Sequence, residues 1–221
     1  MLIAATMREN LAAALRLLLV TDDDALAGRD VLTVCRAAVR GGVTAVQLRL
    51  KRMGDRELLH LARQMIGELD VPVFVNDRLD IAIAAGAAGV HLGADDLPPA
   101  LTRRVAPAGL AVGASVGDVA EVIRGATADY WGIGPLRTTT TKGDAGSALG
   151  LDGATALLRQ AAGRPCVLIG GVLPIDVVPA IRAGFAGIAA VRGLLSDTDI
   201  EAAARRYAAA LDAAVSGGEP C

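Results

Sequence analysis

The chain has few aromatic residues, few cysteines and no block of like charges. Only 2% of its 221 residues are aromatic whereas 53% are hydrophobic, so we expect a core built from Ala, Val, Leu and Ile. Its three cysteines, Cys35, Cys166 and Cys221, are odd in number and far apart, which argues against a disulfide framework and against a structural zinc site. This cysteine usage is typical of a reducing cytoplasm, where we expect the protein to reside.

The sequence also lacks a large excess of one charge and a long hydrophobic run. The formal net charge is -2, which favours neither nucleic acid nor an anionic membrane surface as a partner and leaves small molecules as the expected ligands. The apolar residues 11–20 are too few to span a bilayer, Arg16 interrupts them, and no small-residue cleavage site follows. We therefore predict no membrane segment and no targeting segment, and leave a homo-oligomer open.

Short apolar runs alternate with stretches of helical periodicity along the whole chain. The alternation of such segments predicts right-handed βαβ units and a parallel sheet. The predicted strands are residues 17–21, 45–50, 71–76, 89–93, 111–116, 130–135, 166–171 and 187–192. The predicted helices include residues 30–40, 55–69, 119–126, 151–162 and 175–183.

Eight such units favour a closed (β/α)8 barrel of the TIM type, and an open doubly wound sheet is the structural alternative. Near-identical phrases at residues 85–90 and 183–188 indicate equivalent corners of one repeating architecture. We predict one domain over residues 1–221, with an N-terminal helical extension over 1–15 and a disordered tail over 216–221. The long, Thr- and Gly-rich connection 136–150 predicts a mobile loop over an active site.

Polar residues follow several strands, at the face where the strand ends of a barrel meet. Gln47, Arg49 and Lys51 alternate with apolar residues, so they share one side of the second strand and suggest an anionic ligand. A basic strand end that is merely solvated is the simpler alternative. Asp77 and Asp96 follow the next two strands, and their carboxylates suit Mg²⁺ better than zinc, although either could simply cap a helix.

The later strands add weaker signals. Ser115 could bind substrate or cap a helix, and Gly132 and Gly134 lie on one face, where they could leave room for a flat ring. Thr- and Lys-containing residues 138–142 offer phosphate ligands, but a polar surface loop has the same composition. Glycines 170 and 171 could approach a second phosphate or simply form a turn. We expect His91 to be a satisfied interior residue and His60 to lie on a helix surface.

Taken together, the ordered segments 20–22, 47–51, 74–78, 89–98, 132–135, 141–142 and 169–171 resemble the thiamine-phosphate synthase family. The resemblance implies transfer of a pyrimidinylmethyl group from its diphosphate to the nitrogen of a thiazole phosphate, with release of pyrophosphate. It implies Mg²⁺ bound by Asp77 and Asp96. It further implies a catalytic set of Arg49, Lys51, Ser115 and Lys142.

The resemblance also assigns the two substrates to different residues. The pyrimidine diphosphate would be held by Gln47, Arg49, Lys51, Asn76, Ser115 and Lys142. The thiazole phosphate would be held by Thr139, Thr141, Gly171, Val191 and Arg192.

Four residues depart from the family pattern. Leu50 replaces a Glu, and strand alternation directs it away from the diphosphate. Arg137 replaces an aromatic or apolar residue and Thr140 replaces a proline, from which we expect a looser loop. Arg192 replaces a small serine, where it either grips or crowds the thiazole phosphate.

Two other functions remain open at this point. A thiazole tautomerase on the same barrel needs neither metal nor diphosphate, and the presence of Asn76, Asp77, Asp96 and Lys142 speaks against it. A non-catalytic protein that binds a phosphorylated ligand would explain the departures at Arg137 and Arg192.

Overall fold

Eight parallel strands form a closed barrel in the computed structural model, which describes residues 10–139 and 146–216. The strands are β1 (Leu17–Val20), β2 (Ala45–Leu48), β3 (Val73–Asn76), β4 (Gly89–Leu92), β5 (Ala111–Val116), β6 (Tyr130–Ile133), β7 (Cys166–Leu168) and β8 (Gly187–Ala190). Each strand pairs in parallel with the next along the chain, and β8 pairs with β1. The predicted (β/α)8 barrel is confirmed, and the open doubly wound alternative is wrong.

Helices connect the strands on the outside of the barrel. They are α1 (Leu11–Ala14), α2 (Asp23–Leu26), α3 (Val31–Arg40), α4 (Asp55–Glu68), α5 (Leu79–Ala85), α6 (Pro99–Val105), α7 (Val119–Arg124), α8 (Gly150–Leu158), α9 (Pro174–Arg182), α10 (Arg192–Leu195) and α11 (Ile200–Ser216), with a 3-10 turn at Gly125–Thr127. Ser216, predicted to begin the tail, is the last residue of helix α11, and residues 217–221 lie outside the described residues. None of the described helices is long and apolar enough to cross a membrane.

Most strands end before the last residue predicted for them, and at the end of β2 side chains capture the backbone donors. In β2 the prediction extends to residue 50, but the ladder stops at Leu48. The amide of Arg49 donates to the Thr21 hydroxyl at 2.8 Å, and that of Lys51 donates to the Asp23 carboxylate at 2.8 Å. The end of β2 is therefore held by polar side chains of the first βα connection.

The apolar residues divide into an outer layer and a barrel interior. The outer layer lies between strands and helices and is rich in Leu, Val, Ile and Ala, as predicted. The interior is instead centred on two of the few aromatic residues, Phe74 and Tyr130, whose rings meet edge to face at 5.6 Å. Leu11 and Leu15 join this interior cluster, so the helical extension, of which residues 10–15 are described, packs into the barrel.

Candidate active site

A cavity of about 850 Å³ occupies the C-terminal mouth of the barrel. Its walls come from the ends of all eight strands and the loops that follow them. Every predicted site residue within the described ranges lines it: Gln47, Arg49, Lys51, Asn76, Asp77, Asp96, Ser115, Thr139, Gly171, Val191 and Arg192. Two predicted residues, Thr141 and Lys142, and the departure Thr140 lie outside the described residues.

The basic end of β2 faces this cavity as strand alternation predicted. Arg49 is fixed by an ion pair with Asp22, in which Nη1 and Oδ2 are 2.7 Å apart and both side chains are largely buried. The other Asp22 oxygen, Oδ1, accepts from the amides of Asp24 and Ala25 at the start of α2. Sequence reasoning assigned no role to Asp22, although its place directly after β1 was a signal. The guanidinium is thus held in place before any ligand arrives.

The neighbouring residue Leu50 is buried in the outer layer. The prediction that its side chain points away from the mouth is therefore confirmed.

Asp77 and Asp96 lie within hydrogen-bonding reach of each other, beside the basic end of β2. Burial, together with the hydrogen bond and the negative charge of Asp96, raises the pKa of Asp77 to about 6, while Lys51 acts in the other direction. The Lys51 ammonium is 3.6 Å from Asp77 Oδ2. Two carboxyl groups held this close repel each other when both are ionised, which a divalent cation between them would relieve.

The simpler interpretation of these two residues, that each caps a helix, fails. Helix α5 begins after Arg78 and helix α6 after Pro98, and neither helix has a side-chain cap at that position. Asp77 also has a φ of +61°, a conformation that residues other than glycine rarely adopt. Its backbone is held there by donation of its amide to the carbonyl of His91 at 2.8 Å.

The donor set fits Mg²⁺ bound largely by its substrate. No group of three or more His, Cys, Asp or Glu side chains that could hold a metal occurs among residues 10–139 and 146–216. Mg²⁺ is commonly held by one or two carboxylates, with water and substrate phosphate completing its shell. Asp77 and Asp96 supply that number of carboxylates beside two cationic residues.

Arg124 holds the loop that carries Asp96, a contact that sequence reasoning missed. From α7 its guanidinium donates to the carbonyl of Gly93 at 2.7 Å and to that of Asp96. Within the loop, the Gly93 amide donates to Asp96 Oδ2 at 2.6 Å. Arg124 is 28 residues from Asp96 in the chain, so no local pattern could have shown this contact.

The floor of the cavity is a hydrogen-bonded chain through the barrel interior. His91 contacts the Tyr130 hydroxyl through Nδ1 at 3.0 Å and the Ser115 hydroxyl through Nε2 at 3.1 Å. Burial raises the pKa of Tyr130 far above its usual value, and a hydrogen bond with Gln47 opposes this effect. The prediction of a satisfied interior His91 is confirmed, and the chain connects two predicted substrate residues, Gln47 and Ser115.

The two glycines of β6 have separate reasons to be there. A Cβ at Gly132 would lie 3.2 Å from His91 Cε1, so this glycine leaves room for the imidazole. A Cβ at Gly134 would lie 2.3 Å from the carbonyl oxygen of Ile169, so this glycine permits close approach of β7. Both also line the cavity, and the expected room for a flat ring beside them stays a prediction.

The β7 and β8 ends form the remaining wall. Gly170 and Gly171 have φ values of +89° and +71°, which favour glycine, and a Cβ at Gly170 would lie 2.5 Å from Pro135 Cα. Val191 precedes α10 and Arg192 begins it. Of the residues predicted for a second phosphate, Gly171, Val191 and Arg192 therefore lie at the ends of the adjacent strands β7 and β8 and line the cavity.

Arg137, one of the departures from the family pattern, is held in place at the start of the connection after β6. Its guanidinium forms a two-point ion pair with Asp176 at 2.5 and 2.6 Å. The far end of the connection is also anchored, because the amides of Leu149 and Gly150 donate to the carbonyls of Pro135 and Leu136 at 2.9 and 3.1 Å. Arg137 is therefore held by the facing helix, whereas Thr140, the other departure from which a looser loop was expected, lies outside the described residues.

The chain is similar to known proteins over most of its length. A family model described as thiamine monophosphate synthase matches residues 17–194. The thiamine-phosphate synthase of Methanoculleus marisnigri is 42% identical over 207 residues, covering 91% of this chain and 98% of that protein. The thiamine-phosphate synthase of Azorhizobium caulinodans is 44% identical over 196 residues, covering 86% and 92%.

Solved structures give the same result. A thiamine phosphate pyrophosphorylase from Pyrococcus furiosus has a TM-score of 0.83 at 30% identity, covering 93% of this chain and 100% of that chain. A 3-hexulose-6-phosphate synthase has a TM-score of 0.67 at 18% identity, which shows the shared barrel alone. The chain belongs to the thiamine monophosphate synthase family.

Proposed function

We propose that the chain joins 4-amino-2-methyl-5-(diphosphooxymethyl)pyrimidine to 4-methyl-5-(2-phosphooxyethyl)thiazole, giving thiamine phosphate and pyrophosphate. The observation that carries this proposal is the cluster of two cationic residues and two adjacent carboxylates on one cavity wall. Arg49 and Lys51 suit the anionic diphosphate, and Asp77 and Asp96 suit a cation that bridges to it. The family relationship supports the same reaction.

The first substrate would lie between β2 and β5. Its diphosphate would contact Arg49 and Lys51, joined by Lys142, which lies outside the described residues. Asn76 would contribute its amide, and Gln47 and Ser115 at the floor would orient the pyrimidine. Because Asp22 already fixes the Arg49 guanidinium at 2.7 Å, little ordering of that side chain remains for binding.

Asp77 and Asp96 would hold Mg²⁺. When bound, the ion supplies positive charge that stabilises the negative charge developing on the leaving pyrophosphate. Arg49, held in a largely buried pair with Asp22, and the more exposed Lys51 act on the same charge, and the preorganised Arg49 is the more effective of the two. These residues therefore stabilise the leaving group and do not attack the substrate.

The reaction needs neither a protein nucleophile nor a general base. The bond between the methylene carbon and the diphosphate oxygen breaks, its electron pair leaves with pyrophosphate, and the neutral thiazole nitrogen forms the new bond to carbon. Burial raises the pKa of the Cys35 and Cys166 thiols to about 12, so neither acts as a thiolate. His91 is engaged at both ring nitrogens.

The aminopyrimidine ring can spread positive charge from its methylene carbon, which favours a dissociative path. Water must then be kept from the cation until the thiazole attacks. The connection 136–150 is anchored at both ends beside the cavity, where closure over the bound substrates would exclude water. Thr139 from this connection, together with Gly171, Val191, Arg192 and Thr141, would hold the thiazole phosphate.

The direct test is an assay with purified protein, both substrates and Mg²⁺. We expect pyrophosphate and thiamine phosphate in equal amounts, and neither product when one substrate or the metal is omitted. Isomerisation of a thiazole without diphosphate would identify a tautomerase. Binding of either phosphate compound without any pyrophosphate release would identify a non-catalytic binding protein, and either result would overturn the proposal.

A further inference from the structure

The start of the connection after β6 is locked to the β7 end by one arginine. Arg137 Nη1 donates to Asp176 Oδ2 at 2.5 Å and to the carbonyl of Gly171 at 2.9 Å, while Nη2 donates to Asp176 Oδ1 at 2.6 Å. Two parallel bonds between a guanidinium and a carboxylate fix both distance and orientation. The third bond attaches the Gly170–Gly171 turn to the same guanidinium.

Asp176 is itself held by the helix it belongs to. Its Oδ2 accepts from the amide of Leu173 at 2.8 Å, at the first turn of α9. Burial would raise the pKa of Asp176, but the hydrogen bonds from Arg137 and Leu173 outweigh it and keep the pKa below its usual value. The Asp176 side chain is only 16% exposed, so solvent screens this pair less than an open surface pair.

Backbone hydrogen bonds also join the start of the loop after β6 to the end of β7. The amides of Leu136 and Arg137 donate to the carbonyls of Ile169 and Gly170 at 2.8 and 2.9 Å. A Cβ at Gly171 would lie 3.1 Å from the Arg137 Cβ, so the turn packs directly on the arginine stem. The position of Gly171 therefore depends on where Arg137 is held.

We propose that the Arg137–Asp176 pair positions the Gly170–Gly171 turn for the phosphate of the second substrate, an inference that rests on the proposed function. Arg137 does not line the cavity, whereas Gly170 and Gly171 do. It is therefore a positioning residue that acts through Gly171, and it makes no substrate contact of its own. The first substrate, which would bind at β2 to β5, lies away from this pair.

The test compares steady-state kinetics of Arg137→Met, Arg137→Lys and Asp176→Asn with direct binding of the thiazole phosphate by calorimetry. For Arg137→Met we expect KM and Kd for the thiazole phosphate to rise about tenfold, the loss of roughly one charge-assisted hydrogen bond. The KM for the pyrimidine diphosphate should stay within about twofold. Arg137→Lys, which keeps the charge without the two-point geometry, should recover part of the loss.

A matched control is Arg40→Met, which breaks the Arg40–Glu201 pair of 2.9 Å between α3 and α11. It should leave both KM values unchanged. Unfolding in urea, measured for every variant, separates a positioning effect from lost stability. If Arg137→Met folds poorly, Arg137→Lys and Asp176→Asn carry the same comparison.

Two results would overturn the inference while the proposed function stands: an active wild type whose Arg137 variants have unchanged kinetics, or variants in which both KM values rise equally. A wild type that binds no thiazole phosphate and makes no thiamine phosphate would overturn both proposals together.

Discussion

Replacing Asp77 by Asn should stabilise the metal-free protein at neutral and higher pH. The folded chain raises the pKa of Asp77 from 3.8 to about 6, so it holds this proton more tightly than the unfolded chain does. Stability from this group is therefore fully present below about pH 4 and falls as pH rises towards about 6. The neutral amide of Asn removes this loss.

The expected gain follows from the size of the shift. About two pKa units correspond to roughly 3 kcal/mol at pH values above both pKa values. The Asp77 side chain is 24% exposed, and Asn gives up the attraction to Lys51 at 3.6 Å, so we expect about 1–2 kcal/mol. Asn is also among the residues that best tolerate the φ of +61° at this position.

The assay is urea unfolding of both proteins from about pH 4 to pH 8, with a chelator present. The free energies should coincide near pH 4 and separate by about 1–2 kcal/mol above pH 6. Adding Mg²⁺ should then stabilise the wild type and have little effect on the variant. Asp70→Asn removes one charge from an exposed position. It should change neither the dependence of the unfolding free energy on pH nor its response to Mg²⁺.

A variant that is less stable than the wild type at pH 8 would refute this reasoning. So would a wild type whose free energy of unfolding does not fall relative to that of Asp77→Asn between pH 4 and pH 6. Either result would show that burial and Asp96 do not raise the pKa of Asp77 in the folded protein.

Three further predictions concern turnover, the second substrate and the thiols. Asp96→Ala should lower turnover by about 100-fold or more while circular dichroism stays unchanged, because the metal contributes several kcal/mol of charge stabilisation; near-normal activity would exclude its role. Arg192→Ser should raise the KM for the thiazole phosphate about tenfold, since Arg192 lines the cavity, and a lower KM would mean that it crowds the phosphate. In Cys221→Ser protein, the buried Cys35 and Cys166, whose pKa values are raised to about 12, should resist alkylation at about pH 8 until denaturant is added. Mass spectrometry measures the labelling, and rapid modification of the native protein would contradict it.

The barrel could be predicted because its signals are local. Each buried strand is a short apolar run, and the helices between them have their own period, so element order predicts a parallel sheet and the number of units favours its closure into a barrel. The period of two also placed Gln47, Arg49 and Lys51 on the cavity side and Leu50 on the other. These features depend on neighbours within a few residues.

The contacts that hold the site in place were not predictable in this way. Arg124 and Asp96 are 28 residues apart, and Arg137 and Asp176 are 39 apart, each joined across different βα units. Their pairing depends on the lateral placement of helices and loops around the barrel, for which a single sequence has no periodic signal. The departure at Arg137 was visible, but its partner was not.

A hydrogen-bonded chain runs from Ser115 through His91 to Tyr130. The side chains that form the floor of the cavity therefore also belong to the interior of the folded barrel. Arg192, at the rim of the cavity, is exposed, so we expect substitutions there to leave the fold intact. Substitutions on the floor must satisfy buried donors and acceptors as well as the substrate. The evolutionary freedom of this enzyme family should accordingly be concentrated in the loops, with the interior of the barrel changing only through coordinated replacement of several side chains.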